Sequence, residues 1–314
     1  MNLIEILRSR IGSLPTGPHT IGVESVLLHV EVATRHYDRG RSNQDETAFT
    51  DAIYRTNQAY EGSLKEAYRV LAEKNPDRKT PNDIEDYLQK NQILRPRVLS
   101  QLTTYRTEWR NPSTHDYKLD FNEAESLLAI FSVSAFAIVL IDQIGQKLAF
   151  EQVKAATKPT PKLPTLQSLV EEFIGLLPQF LSVFNSVIVF DSASEPGSGI
   201  VIILQAIGSL HGFLSAARPD WNVAIESKIK GKQQADLIIS HADESLIVEI
   251  KRGNLKRAEL LDHSVNQATQ IMKDSGIKNA VIFNILIPNT GNIERLKSTR
   301  VDGIGDIVVV STLS

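Results

Sequence analysis

Apolar residues recur at helical spacing through the first half of the chain, then condense into short β-branched runs in the second. MNLIEILRSR predicts a short helix, and after a loop with Gly12, Pro15, Gly17 and Pro18 the length of Ile21 to Tyr37 favours another. From Glu46 to Lys74, Ala59, Leu64, Ala67, Val70 and Leu71 draw a helical stripe that Asn75-Pro76 ends. Thr80 caps the next helix, with Pro81 at its first position. Ile93 to Trp109 reads as a helix interrupted early by Pro96, and Asn111 to Asp116 as a turn-rich piece. Asp120 or Asn122 then caps a long apolar helix to about Ala149. Its stretch Leu127 to Ile141 has fifteen residues, short of the roughly 20 of a membrane span, and reads as a helix buried all round inside a bundle. With almost no convincing strand, this half is predicted to be an all-α bundle.

The pattern changes after KPTPKLPT, residues 158–165, whose three prolines make it the best linker candidate. Beyond it we read a helix from Leu166 to Phe184, a strand at Val187 to Phe190, a loop SASEPGSG and a helix from Ile200 to Ala217. Strands follow at Val223 to Ile229, 235–240 and 245–251, then a helix at Ala258 to Ser275, then strands at Ala280 to Leu286 and Ile304 to Val310. Length also argues for two domains: 314 residues exceed what one core usually holds. The expected organisation is therefore an all-α domain over 1–157, a linker over 158–165 and an α/β mixed-sheet domain over 166–314.

Chemistry concentrates in ADLIISHADESLIVEIK, residues 235–251. If HADE is the loop of a hairpin, Ser240 faces Ser245 and Asp236 stands opposite Glu249 on one face. Lys251, two residues on, shares that face, while Leu246, Val248 and Ile250 line the other as a core stripe. Two facing carboxylates repel unless a cation sits between them, and oxygen ligands suit a hard divalent ion. The absence of cysteine excludes disulfides, zinc-thiolate sites and a cysteine nucleophile, and is compatible with a cytoplasmic setting. A net charge of -3 gives no general polyanion attraction, so a nucleic-acid surface must be local. Lys228, Lys230, Lys232, Lys251, Arg252, Lys256 and Arg257 form one such concentration. The N-terminus has an acid within its apolar stretch and does not read as a secretion signal.

Asp236, the hairpin and Glu249-x-Lys251 together resemble the PD-(D/E)xK nuclease superfamily, whose fold is a small mixed sheet flanked by helices. The resemblance implies phosphodiester hydrolysis of DNA or RNA with Mg²⁺ (or Mn²⁺). Asp236 and Glu249 would hold the metal, and Lys251 would position the attacking water. The helix before the first strand often adds an acid in this superfamily. Here Ile200 to Ala217 has none, only Gln205, so Glu226 is the substitute ligand, with Glu171 and Glu172 on the earlier helix. Gln267 stands where several subfamilies place a glutamine near the site. Glu226-x-Lys228 after Pro219-Asp220 is a decoy, because too few residues lie between Asp220 and Glu226 for a strand and its return.

In the first half, Arg110-Asn111-Pro112-Ser113-Thr114-His115 resembles the R-x4-6-H motif of HEPN ribonucleases. Arg257 and His263 match its spacing too, but Ala258 follows that arginine. This resemblance implies metal-independent RNA cleavage, with His115 as general acid or base, Arg110 on the phosphate and Asn111 orienting the pair. It also implies a homodimer through the helical domain, and both families recur in bacterial defence. The expectation is a nuclease, active at the metal site, with no membrane partner. The alternatives are a HEPN ribonuclease whose second domain only binds nucleic acid, and a non-catalytic dimeric interaction protein.

Overall fold

The computed structural model describes residues 2–94, 96–116, 118–160, 168–188, 198–228, 234–253, 255 and 257–313. The chain divides into two compact units, Met1–Leu148 and Ala149–Ser314. The Pro-rich segment 158–165 thus falls within the span of the second unit, and from 161 onward it lies outside the described residues.

The first unit is helical: α1 (Leu3–Gly12), α2 (Thr20–Asn43), α3 (Thr47–Leu71), α4 (Pro81–Lys90), α5 (Pro96–Tyr105), a π-helical turn (Arg106–Arg110), α6 (Asn111–His115) and α7 (Glu123–Ala156). Local chemistry sets several boundaries. Thr80 and Asp83 form a reciprocal capping box at α4 with Pro81 in its first turn, and Asn122 and Glu125 exchange the same pair of bonds before α7. Val26, Val30, Tyr60, Leu64, Leu102, Tyr105, Val133 and Leu140 are among the side chains of the shared core.

Two expectations for this unit are corrected. Residues 111–115 are helical rather than turn-rich: the Asn111 amide bonds the Arg106 carbonyl five residues back, and this widened turn lets Pro112 follow without breaking the run. Nor is α7 buried all round, since Leu128 is 56% and Phe131 49% exposed while Ala129, Val133, Phe136 and Leu140 are buried. An apolar sequence carries no amphipathic signal, so it could not reveal which face of the helix the bundle covers. By length and hydropathy, α7 is the one helix among the described residues that could cross a membrane. It also runs past Ala149, and Ala149 and Val153 join the core of the second unit.

The second unit contains α8 (Leu169–Val187), α9 (Ser198–Ala217), β1 (Asn222–Lys228), β2 (Gln234–His241), β3 (Glu244–Lys251), α10 (Ala258–Ser275), β4 (Asn279–Asn284), β5 (Ile293–Val301) and β6 (Gly305–Thr312). The sheet order is β1-β2-β3-β4-β6-β5. Here β3, β4 and β6 run parallel, and the other pairs are antiparallel. One sheet face, including Leu246, Val248, Phe283 and Val310, packs with Phe173, Phe180, Leu210 and Phe213 of α8 and α9. The other, with Ile247, Ala280, Ile282 and Val309, packs against Val265, Ala268, Ile271 and Met272 of α10. The face carrying Glu249 is therefore a second core face, as expected where parallel strands are covered on both sides.

Val187 ends α8 and Ile188 caps it instead of opening a strand, and residues 189–190 of that expected strand lie outside the described residues. The sequence reading missed β5, IERLKSTRV, because an edge strand with charged residues lacks the apolar run of a central one. The expected hairpin loop is shorter too: His241 pairs with Glu244, leaving Ala242 and Asp243 as the turn, with Ala242 at φ 51°.

Candidate functional site

The register Ser240↔Ser245 is the one read from the sequence, and it carries the hairpin pairing as far as Leu237↔Val248. There the β2–β3 pairing ends, while β2 continues to Gln234 against β1 and β3 to Lys251 against β4. Asp236 and Glu249 stand at this divergence, where carboxylates take over from the backbone ladder. Asp236 Oδ2 accepts from the Ile250 amide at 2.8 Å, and the Asp236 amide donates to Glu249 Oε1 at 3.3 Å.

Glu249 is 1% exposed. Its Oε2 accepts from Lys251 Nζ at 2.9 Å, and Gln267 Nε2 approaches the same atom at 3.5 Å. Gln267 Oε1 in turn accepts from Lys251 Nζ at 3.2 Å, so α10 closes a ring over the two strand residues. An ionised carboxylate at this depth requires a partner, and Lys251 supplies it. The period-two alternation of β3 put Glu249 and Lys251 on one side, and α10 then buried that side.

Asn284 of β4, in register with Lys251, is a neighbour that sequence reasoning missed. It is buried, and its Nδ2 donates to the Gly253 carbonyl and to Ser311 Oγ, 3.0 Å each, tying the segment after β3 to β4 and β6. The available signal was a lone amide closing the apolar run AVIFN. As for the other predicted groups, the side chains of Glu226 and Lys228 and the whole of Lys230, Lys232 and Lys256 lie outside the described residues, and Arg252 is half-buried beside Lys251.

Asp236 and Glu249 carry oxygen donors of the kind a hard divalent ion takes. In this structure Asp236 Oδ2 and both Glu249 oxygens accept from protein donors, and no three His, Cys, Asp or Glu side chains cluster for a metal among the described residues.

In the helical unit, Arg110 Nε donates to Glu61 Oε1 at 3.0 Å, its Nη2 lies 3.0 Å from the same oxygen, and its Nη1 donates to Asn111 Oδ1 at 3.1 Å. His115 is exposed at the end of α6. Residues five apart on an α-helix differ by about 140° in direction, so the helical geometry of this segment separates Arg110 and His115 instead of pairing them. Asn57, absent from the sequence reading, donates to Ser113 Oγ at 2.7 Å and accepts from the Tyr105 hydroxyl at 3.0 Å.

No protein-family model matches this chain, and a comparison with curated proteins finds no match.

Proposed function

We propose that the chain is a metal-dependent nuclease whose second unit is a restriction-endonuclease-like, PD-(D/E)xK domain. The observation that carries this reading is the buried Glu249, joined to Lys251 and Gln267 where β2 and β3 part around Asp236. A surface ion pair needs none of this burial, and a purely structural sheet position would be filled at lower cost by an apolar residue. Asp236 and Glu249 would hold Mg²⁺ or Mn²⁺, and when bound the ion supplies a water of lowered pKa and charge stabilisation at phosphorus. Lys251 directs its ammonium to the site, where it orients the attacking water and offsets negative charge on the phosphate oxygens. Gln267 keeps Lys251 Nζ near Glu249. Arg252, directly after the site strand, would contact the backbone phosphate in this reading.

The all-α first unit, with Arg110-Asn111 before the last long helix, supports a HEPN-like assignment for that unit. The exposed apolar residues Leu127, Leu128, Phe131 and Val139 on α7 support a second copy of the chain as its partner. The separation of Arg110 and His115 leaves cleavage to the sheet unit in this reading.

The test is cleavage of single- and double-stranded DNA and RNA with Mg²⁺ or Mn²⁺. The proposal expects activity that EDTA abolishes and that Lys251→Ala and Glu249→Gln each lower by at least about 10²-fold. EDTA-resistant cleavage that both variants retain would place the chemistry elsewhere. Folded wild-type protein inactive on all four substrates would remove the nuclease reading altogether.

A further inference from the structure

The helical unit holds a cavity of about 350 Å³ lined by Lys79, Thr80, Asn82, Arg106, Arg110 and Asn111, with Glu61 on its wall. Three cations thus face one carboxylate. The π-helical turn Arg106–Arg110 explains why one short segment contributes three of these residues: its widened i→i+5 geometry brings 106, 110 and 111 toward one face, and such turns recur at functional sites.

Both guanidinium groups are held by carboxylates, Arg106 by Glu85 outside the lining and Arg110 by Glu61 within it. Arg106 donates through Nε to both Glu85 oxygens at 3.1 Å. Glu85 is buried and also accepts from Thr103 Oγ1 at 3.0 Å and from the Tyr60 hydroxyl, which burial and Glu85 hold protonated, far above its ordinary pKa. Structural arginine–carboxylate pairs commonly use two parallel N–H bonds, whereas every described bond of Arg106 runs through Nε. No described bond occupies its terminal nitrogens, the edge that matches a phosphate, and Arg106 lines the cavity. Arg110 is held more fully, through Nε and Nη2 by Glu61 and through Nη1 by Asn111, so a phosphate would share it with Glu61. Guanidinium groups oriented before a ligand arrives lose little entropy in binding it.

We propose that this cavity is a binding site for the phosphate group of a small phosphorylated molecule, read by Arg106, Arg110 and Lys79. Its volume is at the lower end of small-ligand pockets, about 300–1,000 Å³, which suits a pyrophosphate or a nucleoside monophosphate. The site is independent of the Asp236–Glu249 centre and does not include His115.

The test is calorimetric titration of the full chain at low salt with pyrophosphate, AMP and, as the uncharged counterpart, adenosine. Binding of pyrophosphate identifies an inorganic anion as sufficient, binding of AMP alone identifies a monoester, and either supports the site provided adenosine does not bind. Arg106→Lys keeps a cation for Glu85 but lacks the fork and is expected to weaken binding about tenfold or more. Lys79→Ala alters an exposed side chain, so its effect does not depend on the fold, and a loss of about threefold or more is expected. Wild-type protein that ignores both anions at about 10 mM overturns the proposal, as does adenosine binding as tightly as AMP, or Lys79→Ala and a folded Arg106→Lys both retaining wild-type affinity.

Discussion

Replacing Lys251 with methionine keeps the length of the side chain but strands Glu249, a carboxylate whose side chain is 2% exposed, without its cation. At 2.9 Å and an effective dielectric of about 20, the gross attraction between the two is ~6 kcal/mol. Desolvation offsets much of that in the intact pair. Removing one partner leaves the desolvation cost uncompensated, and broken buried pairs lose about 3–5 kcal/mol. Lys251 is 23% exposed, so the lower end, about 3 kcal/mol, is the appropriate figure. For a unit of this size each kcal/mol moves Tm by roughly 2–4 °C, so Lys251→Met should lower the melting temperature of the sheet unit by about 6–12 °C. Trp109 and Trp221 are the two tryptophans of the chain, one in each unit, and a Trp109→Phe background makes Trp221 fluorescence a reporter of the sheet unit alone. Adding Glu249→Gln to Lys251→Met should restore most of the loss, because both charges are then gone. Millimolar Mn²⁺ should stabilise Lys251→Met more than wild type, since no ammonium competes for Glu249. A fall of less than about 2 °C, or a double variant as unstable as the single one, would refute the picture of a buried, mutually dependent pair.

Burial raises the Asp142 carboxyl to about 6, against the pull of Arg10 at 3.1 Å. The folded state therefore binds the extra proton between about pH 4 and 6, and this group's contribution to stability falls as pH rises through that window, by up to about 3 kcal/mol. Asp142→Asn should flatten the dependence, measured as urea midpoints at pH 4 and 7, and an unchanged slope would assign the effect to another group. Asn122→Ala removes the cap that accepts from the Glu125 amide at 3.0 Å and should cost the helical unit about 1 kcal/mol in urea unfolding; a neutral result would show α7 held by packing alone. A second copy seated on α7 predicts that Leu128→Glu with Phe131→Glu converts a dimer to a monomer in light scattering while the melting temperature of the helical unit holds. A monomeric wild type would rule that partner out.

The hairpin geometry was legible because strands obey a strict rule. Alternation with period two put Asp236, Glu249 and Lys251 on one face, and the register Ser240↔Ser245 followed even though the loop was overestimated by the pair His241↔Glu244. Lone polar residues were harder. Gln267 entered only by resemblance, and Asn284, whose bonds reach Gly253 and Ser311, lay unremarked inside the expected strand Ala280 to Leu286. The Arg110–His115 match rested on spacing, on Asn111 after the arginine and on its place before the last long helix, none of which gives direction until the backbone between them is known to be helical.

By itself, the sequence determined the periodicities: helices through the first half, a hairpin and apolar strands in the second, with a cap at Thr80 and another at Asp120 or Asn122. These depend on contacts between residues a few positions apart, which the chain carries wherever it folds. Burial was decided only by tertiary structure, because it belongs to the covering element and not to the residue covered. α10 turned the face of Glu249 into a core, the bundle left Leu128 and Phe131 of α7 exposed, and Glu85 of α4 fixed Arg106 in the π-helical turn.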